Sequence, residues 1–97
     1  MEFEWDEHNK IKNLNKHGVD YYEAEELFSN RPLVVYQDIT HSQKEDRYVV
    51  YGQTDSGRLL VAVYTVRRSK IRIISVRDQD RKERAYYQLQ SELNETN

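Results

Sequence analysis

Apolar and acidic residues alternate at the start of the chain: Phe3 and Trp5 are set between Glu2, Glu4 and Asp6. That period of two predicts a short strand with one apolar face. Asp6 is placed to cap a helix, and Glu7 puts a negative charge in the first turn, where the helix dipole favours it. The helix runs through Ile11 and Leu14 to Lys16 and His17. Gly18 closes it, because glycine enters the left-handed conformation without a Cβ penalty. Asp20 and Glu23 have the spacing of a capping box and open a second helix. It carries Tyr21, Ala24, Leu27 and Phe28 inward at helical spacing and ends near Ser29 and Asn30. Pro32 then fixes the entry to a strand over residues 33–37.

Three β segments follow, at residues 47–52, 58–66 and 71–76, separated by a tight turn at Asp55-Ser56-Gly57 and a polar corner at residues 67–70. Connections this short imply antiparallel hairpins rather than parallel crossovers. Asp80 and Glu83 repeat the capping-box spacing and start a last helix with a stripe at Tyr86, Leu89 and Leu93. The order is β-α-α-β-β-β-β-α, and the expected architecture is α+β: a twisted antiparallel sheet with helices over one face. On the longest strand Leu59, Val61 and Val63 share one face, and Leu60, Ala62, Tyr64 and Val66 share the other. Both faces are apolar, which marks a central strand covered on both sides. One cover is the chain's own helices; the second is either the C-terminal helix or another protein.

Ninety-seven residues make a single domain, 1–97, with a polar tail at 91–97 that is expected to fray. The core is lean and is supplemented by eight tyrosines, whose hydroxyls each need a partner or water, so the fold has room for help from a binding partner. With no cysteine there is no disulfide framework, thiolate metal site or thiol nucleophile. The first ten residues lack the basic and apolar regions of a signal peptide, and the longest apolar run, about eight residues, falls well short of a membrane span. The expectation is a soluble, cytoplasmic protein with no membrane partner.

Charge changes the picture once it is counted by segment. Residues 1–57 carry six Lys/Arg against twelve Asp/Glu, whereas residues 58–84 carry nine against three. The net charge of −2 thus conceals a basic stretch in which Arg67, Arg68, Arg72 and Arg77 interleave with Ile71, Ile73, Ile74 and Val76. Arg81, Lys82 and Arg84 follow on the last helix. Guanidiniums held at fixed spacing on a strand suit a phosphate-binding surface. The plainer reading is that these charges solvate one face of a sheet and one helix.

The histidines, His8, His17 and His41, have no metal-ligand spacing, and the chain offers no nucleophile elbow and no glycine-rich phosphate loop. No metal or cofactor is expected. His17 also has a structural account, as a cation at a helix C-terminus. An inventory of Arg, Lys, His and Tyr suits phosphodiester cleavage in RNA, where the substrate supplies its own 2′-hydroxyl nucleophile. The protein then has to position it, move protons and stabilise the charge that builds on phosphorus.

Three groups of residues give the chain a family resemblance. The first is Phe3-Glu4-Trp5-Asp6; the second is Asn13-Leu14-x-Lys16-His17-Gly18-Val19, with Glu23-Ala24 after it. The third runs from Asp46-Arg47-Tyr48 through Thr65-x-Arg67 and Arg72-Ile73-Ile74-Ser75-x-Arg77 to Glu83-Arg84-x-x-Tyr87. Together, over roughly residues 3–87, they resemble the BrnT toxins. The resemblance implies a RelE-like fold and the toxin half of a type II toxin–antitoxin pair, a metal-independent endoribonuclease that inhibits translation. It implies a BrnA-like antitoxin, RNA as substrate, and promoter DNA contacted only through the antitoxin complex. The alternative is a catalytically weak or inactive binding module that acts with the antitoxin in promoter autoregulation. Carried over by position, Arg67 and Arg77 are catalytic candidates that stabilise the transition state, with Lys16 or His17 moving protons. Arg47, Arg68, Arg72 and Arg81 are the substrate-binding candidates.

Strict alternation sets a difficulty, because Arg72 and Arg77 fall on opposite faces of a regular strand. Either a bulge or strand end re-aims one, or one is structural; Arg72, paired with a carboxylate from the acidic helices, is the expected structural one. Asp78 departs from the family's basic run after Arg77. Beside a docked phosphate it is expected to cost about 1 kcal/mol, weakening RNA binding about fivefold.

Overall fold

The computed structural model describes residues 1–95. Its five strands are β1 (Glu2–Glu4), β2 (Val34–Gln37), β3 (Tyr48–Gln53), β4 (Leu59–Arg67) and β5 (Lys70–Asp78), in one sheet of order β1-β5-β4-β3-β2. The helices are α1 (Glu7–His17), α2 (Tyr21–Glu26) and α3 (Arg81–Glu95), with a 3₁₀ turn at Leu27–Ser29 extending α2. The element order is the one read from the pattern, and β4 is the central strand.

Two features differ from that reading. First, the sheet is mixed: β2 to β5 form an antiparallel meander, but β1 lies parallel to β5, with Glu2, Phe3 and Glu4 opposite Lys70, Ile71 and Arg72. A hairpin forces antiparallel pairing; β1 is joined to β5 only through the rest of the fold, so no short turn constrains its direction. Second, helices cover both faces rather than one, α3 supplying the second cover that the two apolar faces of β4 require. Val19, Ala24, Leu27 and Phe28 pack with Val50, Leu60, Ala62, Ile73 and Val76 on one side. On the other side Tyr87 of α3 packs with Val49, Tyr51 and Val61. The Tyr87 hydroxyl donates to Pro32 O at 2.6 Å and pins α3 over the entry to β2. Helix α3 extends through Glu95, and residues 96–97 of the expected tail lie outside the described residues.

The caps form as their spacing requires. Asp6 Oδ1 accepts from His8 N at 2.8 Å, and Gly18 sits at φ 65°. Glu23 Oε1 accepts from Asp20 N at 3.1 Å, while Asp80 and Glu83 close a reciprocal box at 2.8 Å in each direction. Helix α1 behaves differently from its apolar pattern: Ile11 and Leu14 are exposed, and its buried residue is Asn13. The reason is that α1 runs along the outer edge of β5, past the three residues that β1 covers. There Asn13 Oδ1 accepts from Val76 N at 3.3 Å and takes over one strand-edge donor. Tyr21, expected inward, is also exposed, because the Trp5 ring occupies the inner position and meets Tyr21 edge to face.

Candidate nucleic-acid interface

The arginine alternation is resolved by a β-bulge. Between β4 and β5 the register shifts after Val63, so that Val63 faces Ser75 and Tyr64 faces Ile73, leaving Ile74 as the extra residue. Val61, Val63, Thr65 and Arg67 share one face of regular β4, and the partners of the first three are Arg77, Ser75 and Arg72. Ile73 and Val76 accordingly both reach the α2-side core, three residues apart rather than two. Arg67, Arg72 and Arg77 therefore stand on the α3 side of the sheet, with Arg72 and Arg77 about 13 Å apart along the strands. The bulge thus re-aims the strand and brings Arg72 and Arg77 to one face.

Each of the three has a carboxylate partner. Arg67 Nε lies 3.1 Å from Glu45 Oε2 in the β2–β3 connection. Arg72 reaches Glu4 and Asp6, each at 3.5 Å, so its pairing is with β1 and the α1 cap rather than with a helix body. Arg77 forms the tightest pair, with Nη1 and Nη2 at 2.7 and 2.9 Å from the two oxygens of Glu83. That pairing raises the Arg77 pKa, against the opposing effect of burial. Glu83 thus serves the α3 cap and Arg77 together, and its side chain is only 16% exposed.

The other candidates scatter around this row. Arg47 lines a surface depression of about 340 Å³ with His41, Lys44 and Glu45. Arg68 is at the tip of the β4–β5 hairpin, where it and Ser69 take φ of 51° and 66°, left-handed values that cost a non-glycine residue energy. Arg81 opens α3 and is exposed. Among the described residues Arg47, Arg68 and Arg81 make no ion pair.

Lys16 and His17 are not brought to the row. They end α1 on the α2 side, where Arg58 gathers the surrounding groups. Arg58 Nη1 and Nη2 donate to Gly18 O and His17 O at 3.0 and 3.4 Å, and Nη1 also meets Glu23 at 3.2 Å. Its Nε and Nη2 hold both oxygens of Asp78 at 2.8 and 3.0 Å. Hydrogen bonding to Arg58 keeps the Asp78 carboxyl below the usual range, burial opposing, with a further lowering from His17. The expectation that Asp78 repels phosphate beside Arg77 is therefore corrected: its carboxylate turns to the opposite face and is engaged there.

Four residues of consequence are not singled out by the sequence pattern. Arg58 reads as one more basic residue, and Glu83 as a helix cap. Tyr36 and Tyr51 were absorbed into the core composition, yet on the arginine face Tyr51 is buried and touches Tyr36 and Tyr86 edge to face, with centroids 6.1 and 5.3 Å away. Burial, and then the neighbouring Tyr36 phenol, push the Tyr51 pKa well above its ordinary value. The signal available was the register of Tyr36 and Tyr51, which a known bulge would have aligned with Arg77. Among the described residues no cluster of His, Cys, Asp or Glu is arranged to hold a metal ion, and no helix is long and apolar enough to cross a membrane.

The fold is thus a five-stranded mixed sheet with an arginine row on one face and helices on both. Residues 5–83 match the family described as the ribonuclease toxin BrnT of type II toxin–antitoxin systems. The chain belongs to this BrnT toxin family, and as a type II toxin it has an antitoxin partner. The crystal structure of the Brucella abortus ribonuclease toxin BrnT shares the fold, with a TM-score of 0.63 at 24% identity over 84% of this chain and 99% of that one. No curated protein matches the chain.

Proposed function

We propose that this chain is a metal-independent endoribonuclease that inhibits translation by cutting RNA, and that a BrnA-like antitoxin neutralises it in the cytoplasm. The observation that carries the reading is the bulge at Ile74, which puts Arg67, Arg72 and Arg77 on one face. In the reaction a 2′-oxygen forms a bond to the adjacent phosphorus as the bond to the 5′-oxygen breaks. A base accepts the 2′-hydroxyl proton, an acid supplies one to the departing oxygen, and a 2′,3′-cyclic phosphate remains. Arg77 and Arg72 hold the phosphate and offset its developing charge, and Arg67 and Arg47 extend the binding surface.

Glu83 is the carboxylate beside Arg77, and we assign the proton-accepting role to it rather than to Lys16 or His17. Its Oε2 accepts only from Arg77 Nη2 among the bonds described, which leaves a lone pair for a substrate hydroxyl. Lys16, His17, Arg68 and Arg81 are left as outlying contacts to RNA or antitoxin.

The second reading, a non-cutting module that works with the antitoxin on promoter DNA, draws on a different observation: all three row arginines are already engaged by carboxylates. Purified chain, free of antitoxin, incubated with mixed-sequence RNA and EDTA separates the two. Wild type is expected to leave 2′,3′-cyclic phosphate ends, and Arg77→Ala to cut about 10²–10³-fold more slowly. A folded wild-type chain that cuts nothing, with or without ribosomes, would establish the second reading.

A further inference from the structure

On the face that carries the arginine row stand three tyrosines in mutual contact, Tyr36, Tyr51 and Tyr86. Tyr51 is buried, but the two rings that flank it are not: Tyr36 on β2 is 43% exposed and Tyr86 on α3 is 38% exposed. Each leans on Tyr51 edge to face. Tyr51 pairs with Val61, and Val61 with Arg77, so Tyr51 stands two strands from Arg77 on the same face, with Tyr36 one strand further out and level with Ser75.

We propose that Tyr36 and Tyr86 are base-stacking residues that hold single-stranded RNA against the Arg77 end of the row, a proposal that rests on the ribonuclease reading. Aromatic rings beside arginines are the usual means of holding an unpaired strand: phosphates follow the cations and bases stack on the rings. Contact with buried Tyr51 orders both side chains before RNA arrives, and tyrosine has little rotamer freedom to lose. The order of residues along α3 favours RNA over a protein partner. The aromatic ring is the one nearest Arg77 and Glu83, whereas the aliphatic Leu89 and Leu93 lie further along the helix.

Stacking on two rings also fixes which phosphate reaches Arg77. The rings are therefore positioning residues, expected to set the cleavage pattern as well as the affinity.

The test uses a short single-stranded RNA with 2′-O-methyl sugars, which binds but lacks the attacking hydroxyl, carrying 2-aminopurine as the stacking probe. Wild type is expected to quench its fluorescence. Tyr36→Ala and Tyr86→Ala are each expected to weaken binding about 5- to 100-fold and relieve the quench. Tyr36→Phe and Tyr86→Phe are expected to keep both, while Tyr36→Leu and Tyr86→Leu, apolar but not aromatic, lose the quench with the fold intact by circular dichroism. Binding and quench unchanged in the folded leucine variants would overturn the proposal, as would a loss confined to antitoxin affinity. Cleavage of unmodified RNA, run in parallel, reports separately. Absent cleavage with intact, tyrosine-dependent quenching would defeat the ribonuclease reading and leave the stacking site standing. Normal cleavage with an unchanged cut pattern in the leucine variants would do the reverse.

Discussion

Removing Arg58 should cost this fold more than removing any other arginine. Its side chain is 29% exposed and joins three segments: the end of α1 through His17 O and Gly18 O, α2 through Glu23, and the end of β5 through Asp78. The contributions differ. Asp78 is 59% exposed, so that bidentate pair counts as a surface one, about 0.5–1 kcal/mol. Glu23 is 17% exposed, and a charge-assisted bond to it contributes about 1.5 kcal/mol or more. The two carbonyls at the helix C-terminus add about 0.5–1 kcal/mol. Arg58→Ala should therefore destabilise by about 2.5–3.5 kcal/mol, lowering Tm by roughly 10–25 °C for a domain of this size. Urea unfolding followed by circular dichroism at pH 7 measures it, with an unchanged m-value as the control. Arg58→Lys keeps the charge but not the fork and should recover less than half. A loss below about 1 kcal/mol for Arg58→Ala would refute the idea that one guanidinium ties these segments together.

Other outcomes follow from the same geometry. Asn13→Ala removes the acceptor for the buried Val76 N–H and should cost about 1–3 kcal/mol by the same unfolding assay. Asp78→Asn should flatten the acid limb of stability. A carboxyl held below its usual pKa of about 3.9 contributes fully above that value and loses the contribution as pH falls through its lower folded-state pKa. The pH dependence is thus confined to acid below about pH 4, while at pH 7 Asp78→Asn should cost up to about 1 kcal/mol of stability; with Asp78 turned away from Arg77, RNA affinity should stay unchanged, as titration with labelled RNA will show. Arg67→Glu and Arg77→Glu should weaken antitoxin binding along with cleavage if one surface serves both; unchanged calorimetric affinity would separate the two surfaces.

The order of elements, the caps and the central place of β4 were legible because each rests on local chemistry: period-two alternation, Asp–Glu pairs three apart, a glycine after His17. What was not legible depends on one unpaired residue. The bulge at Ile74 adds a single position to β5, and no residue type marks it, since Ile74 is as strand-prone as its neighbours. That one position reverses the face of everything before it relative to everything after it. Arg72 consequently joins Arg77, and Asp78 turns away toward Arg58. Likewise the stripe Tyr86, Leu89, Leu93 reads as buried by periodicity, but α3 makes its core contact through Tyr87, one residue out of phase, and leaves the stripe exposed. Lys16 and His17 were correctly placed at the end of α1; what a linear motif could not convey is which side of the sheet that end occupies.

The segmental charge imbalance takes on a definite meaning once the pairs are assigned. The acidic first half does not merely solvate the chain: Glu4 and Asp6 hold Arg72, Glu23 holds Arg58, and Glu45 holds Arg67. Any phosphate or antitoxin carboxylate reaching the row must exchange with these internal anions, and the cost of exchange is unequal. The Arg67 pair is well exposed and the two Arg72 contacts are long, so each contributes about 0–1 kcal/mol and an incoming anion can replace it readily. Arg77 is different: its partner Glu83 is shielded, bidentate and tied into the α3 cap, so the pair will persist and meet a phosphate as a unit. Arg67 and Arg72 are thereby suited to capture a strand, whereas Arg77 and Glu83 are suited to act on it, an anion-stabilising group and a proton acceptor fixed side by side.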